Sequence, residues 1–140
     1  MKHSIIIWLS ALMFSVGCQS QNEEVKAIKE TITNFSKAGD THNVNQLETL
    51  LDGNYRIVMN QFFGSSEVSV VPRSVYLEKI ESKEWGGDIR KLTFGNIEIN
   101  GNTACAKVVM KGQKSTFKSL LVLVKDSNGS WKLVSDVPVM

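Results

Sequence analysis

The chain has 140 residues, of which 42% are hydrophobic and 21% are charged. This length and composition fit one globular domain and exclude an intrinsically disordered chain. The 16 basic residues nearly balance the 14 acidic ones, giving a net charge of +2, and the basic residues are scattered along the sequence. The charge therefore gives no reason to expect a nucleic-acid partner.

The first 18 residues have the pattern of a bacterial lipoprotein signal. Lys2 precedes an almost wholly apolar run over residues 5–16, and Gly17 and Cys18 follow it. The run is shorter than the roughly 20 apolar residues of a membrane-spanning helix, and its length is typical of a signal peptide. We therefore predict a signal peptide over residues 1–17 and a lipid on Cys18.

This interpretation also divides the rest of the chain. Residues 18–22 become the lipidated cysteine and a polar tether, and residues 23–140 become the folded domain. Several acyl chains hold a protein firmly at a membrane, since each buried methylene contributes roughly 0.8 kcal/mol. The expected location is the bacterial cell envelope, facing the periplasm or the exterior. Ser15 departs from the usual pattern, in which a larger aliphatic residue stands three before the cysteine, and leaves an ordinary secretory signal as the alternative.

Three segments of the domain have the pattern of α-helices. Residues 23–38 repeat apolar side chains at three- and four-residue steps, which gives one apolar stripe. A second, short helix starts after Asn43, whose side chain is a good N-cap. Pro72 suits the first position of a third helix, which ends before Gly86 and Gly87.

The remaining segments have strand patterns. They cover residues 55–62, 67–71, 90–99, 102–111, 116–125 and 130–139. Asn100-Gly101 predicts a two-residue hairpin turn because both positions tolerate positive φ, and Gly95 predicts an irregular strand. We expect a core that includes Val25, Ile28, Ile32, Phe35, Leu47, Leu121, Leu123 and Trp131. Helices followed by antiparallel strands indicate the α+β class.

The chain resembles the nuclear transport factor 2-like superfamily and, more closely, its putative lumazine-binding branch, over the whole mature domain. The segments that carry the resemblance are Ile32-Thr33-Asn34-Phe35, Ala38-Gly39-Asp40, Tyr55-Arg56, Tyr76-Leu77, Gly101-Asn102-Thr103-Ala104 and Trp131-Lys132-Leu133-Val134. The resemblance implies a cone in which three helices pack on one strongly curved antiparallel sheet of about six strands. It also implies a homodimer through the sheet, for which the row Lys118, Leu120, Val122 and Val124 has enough apolar surface.

The resemblance suggests where catalytic groups would stand. In catalytic relatives, a histidine or aspartate near the end of helix one faces the mouth of the cone, and His42 and Asp40 occupy that region here. Both residues also have a simpler interpretation as parts of a turn. The carboxylates of Glu67, Asp88 and Asp136 fall at strand ends or on the polar face, so no acidic residue is expected on an apolar inward row.

A binding role is the preferred prediction. Arg56, Asn60 and Arg90 alternate with the apolar rows and are the residues we expect to contact a ligand. The ligand should be small and apolar or aromatic, because the rows that could line a pocket are apolar. We find no metal-ligand spacing and no nucleotide-binding motif, so no cofactor is expected. The alternative is an isomerase- or dehydratase-like enzyme that uses a polar residue in the cone.

Overall fold

The computed structural model describes residues 16–139, so the predictions for residues 1–15 lie outside it. Its helices are α1 (Val16–Asp40), α2 (Val44–Leu50) and α3 (Arg73–Glu81). Its strands are β1 (Leu51–Asn60), β2 (Val68–Pro72), β3 (Lys91–Asn100), β4 (Thr103–Lys111), β5 (Thr116–Lys125) and β6 (Trp131–Val139). Residues 18–22, which we predicted to be a tether, lie within α1. Over residues 16–139, every helix is too short or too polar to cross a bilayer.

Local chemistry correctly predicts where α2 begins and, within one residue, where α3 begins. The side chain of Asn43 accepts a hydrogen bond of 3.1 Å from the backbone N–H of Gln46 and caps α2. Pro72 occupies the N-cap of α3, one residue before the predicted position. The predicted stripe of α1 faces the sheet, and Ile28, Ile32 and Phe35 are buried there. Val25, which we predicted to lie in the core, is only half-buried.

The six strands form one sheet in the order β2-β1-β6-β5-β4-β3. The α+β prediction is confirmed, with three helices packed on this sheet. Neighbouring strands run antiparallel, except that β1 runs parallel to β6. We predicted an antiparallel sheet throughout. Because β1 and β6 are the first and last strands in the chain, no hairpin imposes antiparallel pairing on them.

One irregularity in β6 changes which side chains face the core. Leu123 of β5 pairs with Leu133, but Val122 pairs with Ser135, so β6 carries one extra residue at Val134. An extra residue reverses the in–out alternation of the strand that follows it. Beyond this bulge, Asp136 pairs with the buried Leu121 and faces the core.

The β3–β4 hairpin differs from the prediction by one position. Asn100 pairs with Thr103, so the two turn residues are Gly101 and Asn102. Gly101 has φ 58°, which glycine adopts without strain. The predicted irregularity at Gly95 is confirmed by a register shift between Phe94 and Ile97. Such shifts bend the strands and increase the local twist of the sheet.

Candidate functional site

A cavity of about 270 Å³ lies between the end of α1, helix α3 and the inner face of the sheet. Its walls are mainly apolar, and the aromatic members are Phe35, Phe62, Tyr76, Trp85 and Phe117. Five charged residues also line it: Asp40, Asp88, Arg90, Lys114 and Asp136. An apolar pocket with a few convergent polar groups is the usual form of a small-molecule site.

Asp136 is the most unusual of these groups. Its residue is 8% exposed, and its Oδ1 atom has no hydrogen-bond partner among residues 16–139. Burial raises the pKa of Asp136 to about 6, against smaller opposing effects of the Ser119 side chain and the Arg90 charge. The prediction that placed Asp136 on the polar face was wrong, because the bulge at Val134 turns its side chain inward.

Asp40 and Arg90 form an ion pair at the end of α1. The Nε atom of Arg90 donates to Oδ1 of Asp40 over 2.5 Å, and the backbone N–H of Arg90 donates to Oδ2 over 2.9 Å. Both side chains are largely buried, with 4% of Asp40 and 17% of Arg90 exposed. Because both carboxylate oxygens of Asp40 accept these bonds, Asp40 positions Arg90 and is poorly placed to act as a base.

Two tyrosines pack beside this pair. The rings of Tyr55 and Tyr76 lie 5.5 Å apart, and Phe35 contacts both at 6.1 Å between ring centroids. Burial raises the pKa of both hydroxyls well above the ordinary value, so both stay protonated at neutral pH. Tyr76 lines the cavity, and the Tyr55 hydroxyl is buried without a hydrogen-bond partner in the described part of the chain.

Asp88, which also lines the cavity, binds the turn between β4 and β5. Its carboxylate accepts backbone N–H groups from Gln113, Lys114 and Ser115 at 2.8, 3.1 and 3.3 Å. The hydrogen bond from Gln113, followed by those from Lys114 and Ser115, lowers the pKa of Asp88. These bonds fix the β4–β5 turn against the segment that leads into β3.

The structure brings together only part of the predicted site. Arg90 and Asp40 line the cavity, whereas Arg56 and Asn60 are exposed side chains of β1 outside it. His42 lies next to the cavity, with its ring against Gly86 and Gly87. Its Nε2 atom is buried and has no hydrogen-bond partner within residues 16–139.

The glycines beside His42 are required by the packing. A Cβ atom at Gly86 would lie 2.3 Å from the carbonyl oxygen of Gly39, and φ at Gly86 is +89°. We predicted a hinge at Gly86-Gly87, and the structure places a close contact there. Within residues 16–139, no group of three His, Cys, Asp or Glu side chains is arranged to hold a metal ion.

The family model described as putative lumazine-binding matches residues 23–137. This chain belongs to the putative lumazine-binding family. The match includes every residue that lines the cavity except Pro138. Comparison with curated proteins gives no match.

Solved structures of similar fold support the superfamily assignment. A nuclear transport factor 2-like protein of unknown function from Silicibacter pomeroyi superposes with a TM-score of 0.73 and 18% identity, over 85% of this chain and 97% of that one. One from Shewanella baltica, also of unknown function, gives 0.72 and 18%, over 84% and 94%. A putative ketosteroid isomerase from Shewanella frigidimarina gives 0.61 and 19%, over 81% and 94%. At these identities the likeness shows the nuclear transport factor 2-like fold.

Proposed function

We propose that this member of the putative lumazine-binding family binds a small, largely apolar or aromatic ligand in the cavity. The observation that carries the proposal is the carboxylate of Asp136, whose Oδ1 is unpaired among residues 16–139, in a mainly apolar and aromatic cavity. Leaving a buried carboxylate oxygen without a hydrogen bond costs free energy. A ligand that donates a hydrogen bond there removes that cost, and the family's description also supports a small-molecule ligand.

A thermal-shift screen with flavin precursors, quinones and sterol-like compounds tests this proposal. A ligand at 100 times its dissociation constant stabilises the folded state by about 2.7 kcal/mol. Ser119→Phe should abolish the shift because Ser119 lines the cavity. Ser69→Phe makes the same change on the exposed face of β2 and should leave the shift intact. Absence of any shift across the panel would count against ligand binding.

A second proposed function is proton-transfer catalysis of the isomerase or dehydratase kind. The observation that favours it is the raised pKa of Asp136, about 6, since a general base works best when its pKa lies near the operating pH. In such a reaction Asp136 would take a proton from the carbon next to a carbonyl and return it elsewhere on the substrate. The protonated Tyr76 hydroxyl would stabilise the developing oxyanion.

Deuterium exchange separates catalysis from binding. A cyclic ketone bound in the cavity would exchange its acidic C–H protons in D₂O if Asp136 acts as a base, and NMR would follow the loss of signal. Asp136→Asn should slow this exchange at least 100-fold, in the range reported for general bases. Binding without exchange would leave only the binding role.

We also propose that lipid on Cys18 anchors the protein in the bacterial cell envelope. Cys18 and Asp40 lie near opposite ends of α1, about 33 Å apart at the helical rise of 1.5 Å per residue. An anchor at Cys18 would therefore leave the cavity at the end of the domain away from the membrane, open to water-borne ligands. Mass spectrometry of the mature amino terminus, with Cys18→Ser as control, tests the modification.

The outer face of the sheet supports a proposed homodimer. Val70 lies opposite Val58, and Leu120 lies opposite Val137. Because Ile57 pairs with Asp136, Val58 and Val137 are also neighbours, so one apolar row crosses four strands. This row crosses β5, whereas the row that we predicted from the sequence runs along β5 from Lys118 to Val124. Sedimentation of wild type and Leu120→Glu tests the dimer, with the charged variant expected to be monomeric.

A further inference from the structure

The outer face of the sheet, opposite the helices and the cavity, carries an excess of positive charge. Strands β3, β4 and β5 together contain five lysines and one acidic residue, Glu98. Side chains alternate between the two faces of a strand, and Met110, Phe117 and Ser119 line the cavity on the inner face. The strand pairing therefore places four of the lysines together on the outer face: Lys91, Lys107, Lys111 and Lys118. We call these four residues the lysine patch.

The members of the lysine patch are neighbours across the strands. Lys91 lies directly opposite Lys111 in the β3–β4 pair. Lys118 lies opposite Val109, so Lys107 and Lys111, which stand two residues to either side of Val109, are its diagonal neighbours. Residues directly opposite each other in an antiparallel pair are about 5 Å apart, and diagonal neighbours are about 7–8 Å apart. Residues that are far apart in the sequence thus form one continuous basic surface.

The protein itself does not neutralise the lysine patch. All four residues are exposed, and none takes part in an ion pair within residues 16–139. Glu98 lies opposite Cys105, which makes it a diagonal neighbour of Lys107 but not of the other three lysines. Like charges directly opposite each other destabilise a sheet. The folded state therefore carries a repulsion that a bound anionic group would remove.

Protection of a sheet edge accounts for only one of the four lysines. Lysines on edge strands prevent sheets from pairing edge to edge, and β3, which carries Lys91, is an edge strand. Strands β4 and β5 lie inside the sheet, so Lys107, Lys111 and Lys118 protect no edge. Solubility does not require the grouping either, because interspersed charges of both signs keep a surface soluble.

We infer that the lysine patch is a docking surface for an extended acidic segment of another protein. Acidic side chains at alternate positions of an extended segment project to one side at intervals of about 7 Å. This interval matches the spacing between Lys118 and its diagonal neighbours. The same patch on a second copy of the chain would repel it. The outer residues of β3, β4 and β5 include no aromatic side chain on which the bases of a single-stranded nucleic acid would stack.

The position of the lysine patch favours a protein over a lipid surface. Lys91 follows Arg90, which binds Asp40, the last residue of α1. The proposed lipid on Cys18 lies near the other end of that helix, about 33 Å away at the helical rise of 1.5 Å per residue. An anchored protein would therefore hold the patch away from its own membrane. The choice of a protein rests on the proposed anchor, whereas the choice of an anionic partner rests on the lysines alone.

Fluorescence anisotropy of the purified protein with labelled peptides tests the inference. One peptide alternates Glu with Thr over about twelve residues, and a matched peptide alternates Gln with Thr. At low salt we expect the acidic peptide to bind at least tenfold more tightly than the neutral one, because several exposed ion pairs act together. Its affinity should fall at least tenfold when NaCl is raised from about 20 mM to about 200 mM, since salt screens exposed charges.

Two double variants locate the binding surface. Lys91→Gln with Lys111→Gln should weaken the acidic peptide at least fivefold. Lys26→Gln with Lys37→Gln removes the same charge from exposed positions of α1, on the other side of the sheet, and should leave the affinity within twofold. In low salt the first variant should also unfold at a higher urea concentration than wild type, because the opposed lysines are gone. A lower urea midpoint would show that these lysines stabilise the fold and would overturn the docking role.

The remaining outcomes are distinct. Equal weakening by the two double variants would show that net charge, and not the lysine patch, attracts the peptide. Tighter binding of the protein to phosphatidylglycerol vesicles than to the acidic peptide would replace the protein partner by a lipid surface. Binding of neither at low salt would overturn the docking surface itself. Each of these results leaves the proposed ligand of the cavity unaffected, because the patch and the cavity lie on opposite faces of the sheet.

Discussion

The two ends of the domain, one beside the third turn of α1 and the other beside its last residue, carry the same kind of interaction in opposite surroundings. At the first end, Glu24 binds Nζ of Lys125 over 2.6 Å and Nε1 of Trp131 over 2.7 Å. Lys125 also lies over the Trp131 ring, 4.9 Å from its centroid. At the last end, Asp40 binds Arg90. In both cases a helix carboxylate meets a cation from the sheet side of the domain.

The interiors behind the two pairs differ. Beside the Glu24 pair, Trp131, Leu133 and Leu123 are all buried apolar residues. Beside the Asp40 pair is the cavity, where Asp136 adds a second buried carboxylate. The Glu24 pair fastens a packed end of the domain. The Asp40 pair holds charged groups beside the cavity. Burying charges in this way lowers stability, and proteins retain such arrangements at functional sites.

The largest expected effect on stability is at the buried ion pair of Asp40 and Arg90. Asp40→Asn removes the charge that compensates Arg90 and should lower the free energy of unfolding by about 3–5 kcal/mol, as for other broken buried pairs. Urea denaturation at pH 7 measures it. Because both oxygens of Asp40 also accept hydrogen bonds, a loss below 1 kcal/mol would show that the cavity end is far more hydrated than this structure indicates.

Asp136→Asn should change the free energy of unfolding in the opposite direction and increase it at high pH. The folded-state pKa of about 6 lies above the ordinary 3.8, so stability is fully present below about pH 4 and is lost as the pH rises through 6. The neutral variant avoids this loss and should be more stable at pH 8 by up to about 3 kcal/mol, since one pKa unit corresponds to about 1.4 kcal/mol. Denaturation at pH 4 and pH 8 measures both values. A variant that is less stable than wild type at pH 8 contradicts the burial argument.

Alanine substitutions at two turn glycines, one at each end of the domain, should lower stability by different amounts. Gly86→Ala at the cavity end meets the Gly39 carbonyl and adopts φ +89°, and we expect a loss of about 2–3 kcal/mol. Gly129→Ala in the β5–β6 turn has φ +80° but open space around its Cβ position, so about 1 kcal/mol is expected. Thermal unfolding of both variants checks the difference. Equal losses would show that only φ matters at Gly86.

The smallest expected effect is at the Glu24 pair. Glu24 is 34% exposed and Lys125 21% exposed, so solvent screens their interaction. Glu24→Gln should therefore cost less than 1 kcal/mol, because the amide oxygen can still accept a hydrogen bond from Trp131. Urea denaturation with and without 0.5 M NaCl measures this loss and its salt dependence. A loss as large as that of Asp40→Asn would remove the contrast between the two ends.

The elements that could be predicted depend on residues close together in the chain. The stripe of α1, the cap at Asn43 and the bounds of β5 at residues 116–125 match the structure because periodicity and capping involve neighbours within a few positions. The same local rules identified Ile28 and Ile32 as core residues. The α+β class follows from these elements and their order.

The site was predicted only in part. Arg90 and Asp40 were named as separate candidates, but nothing in their sequence spacing of 50 residues indicates that they form a pair. Arg56 and Asn60 share the alternation of a strand with one polar face, and alternation alone does not distinguish solvent from a cavity. Asp136 was placed on the polar face because a strictly regular β6 puts it there.

The sequence by itself determined the helices, the strands and their order, because hydrophobic periodicity and turn chemistry act over short distances. Only the tertiary structure decided that Asp136 faces the cavity. The bulge at Val134 exists through the pairing of β6 with β5, and one extra residue reverses the side on which every later side chain of the strand points. The burial that raises the pKa of Asp136 likewise comes from elements far away in the chain, so no local pattern could reveal it.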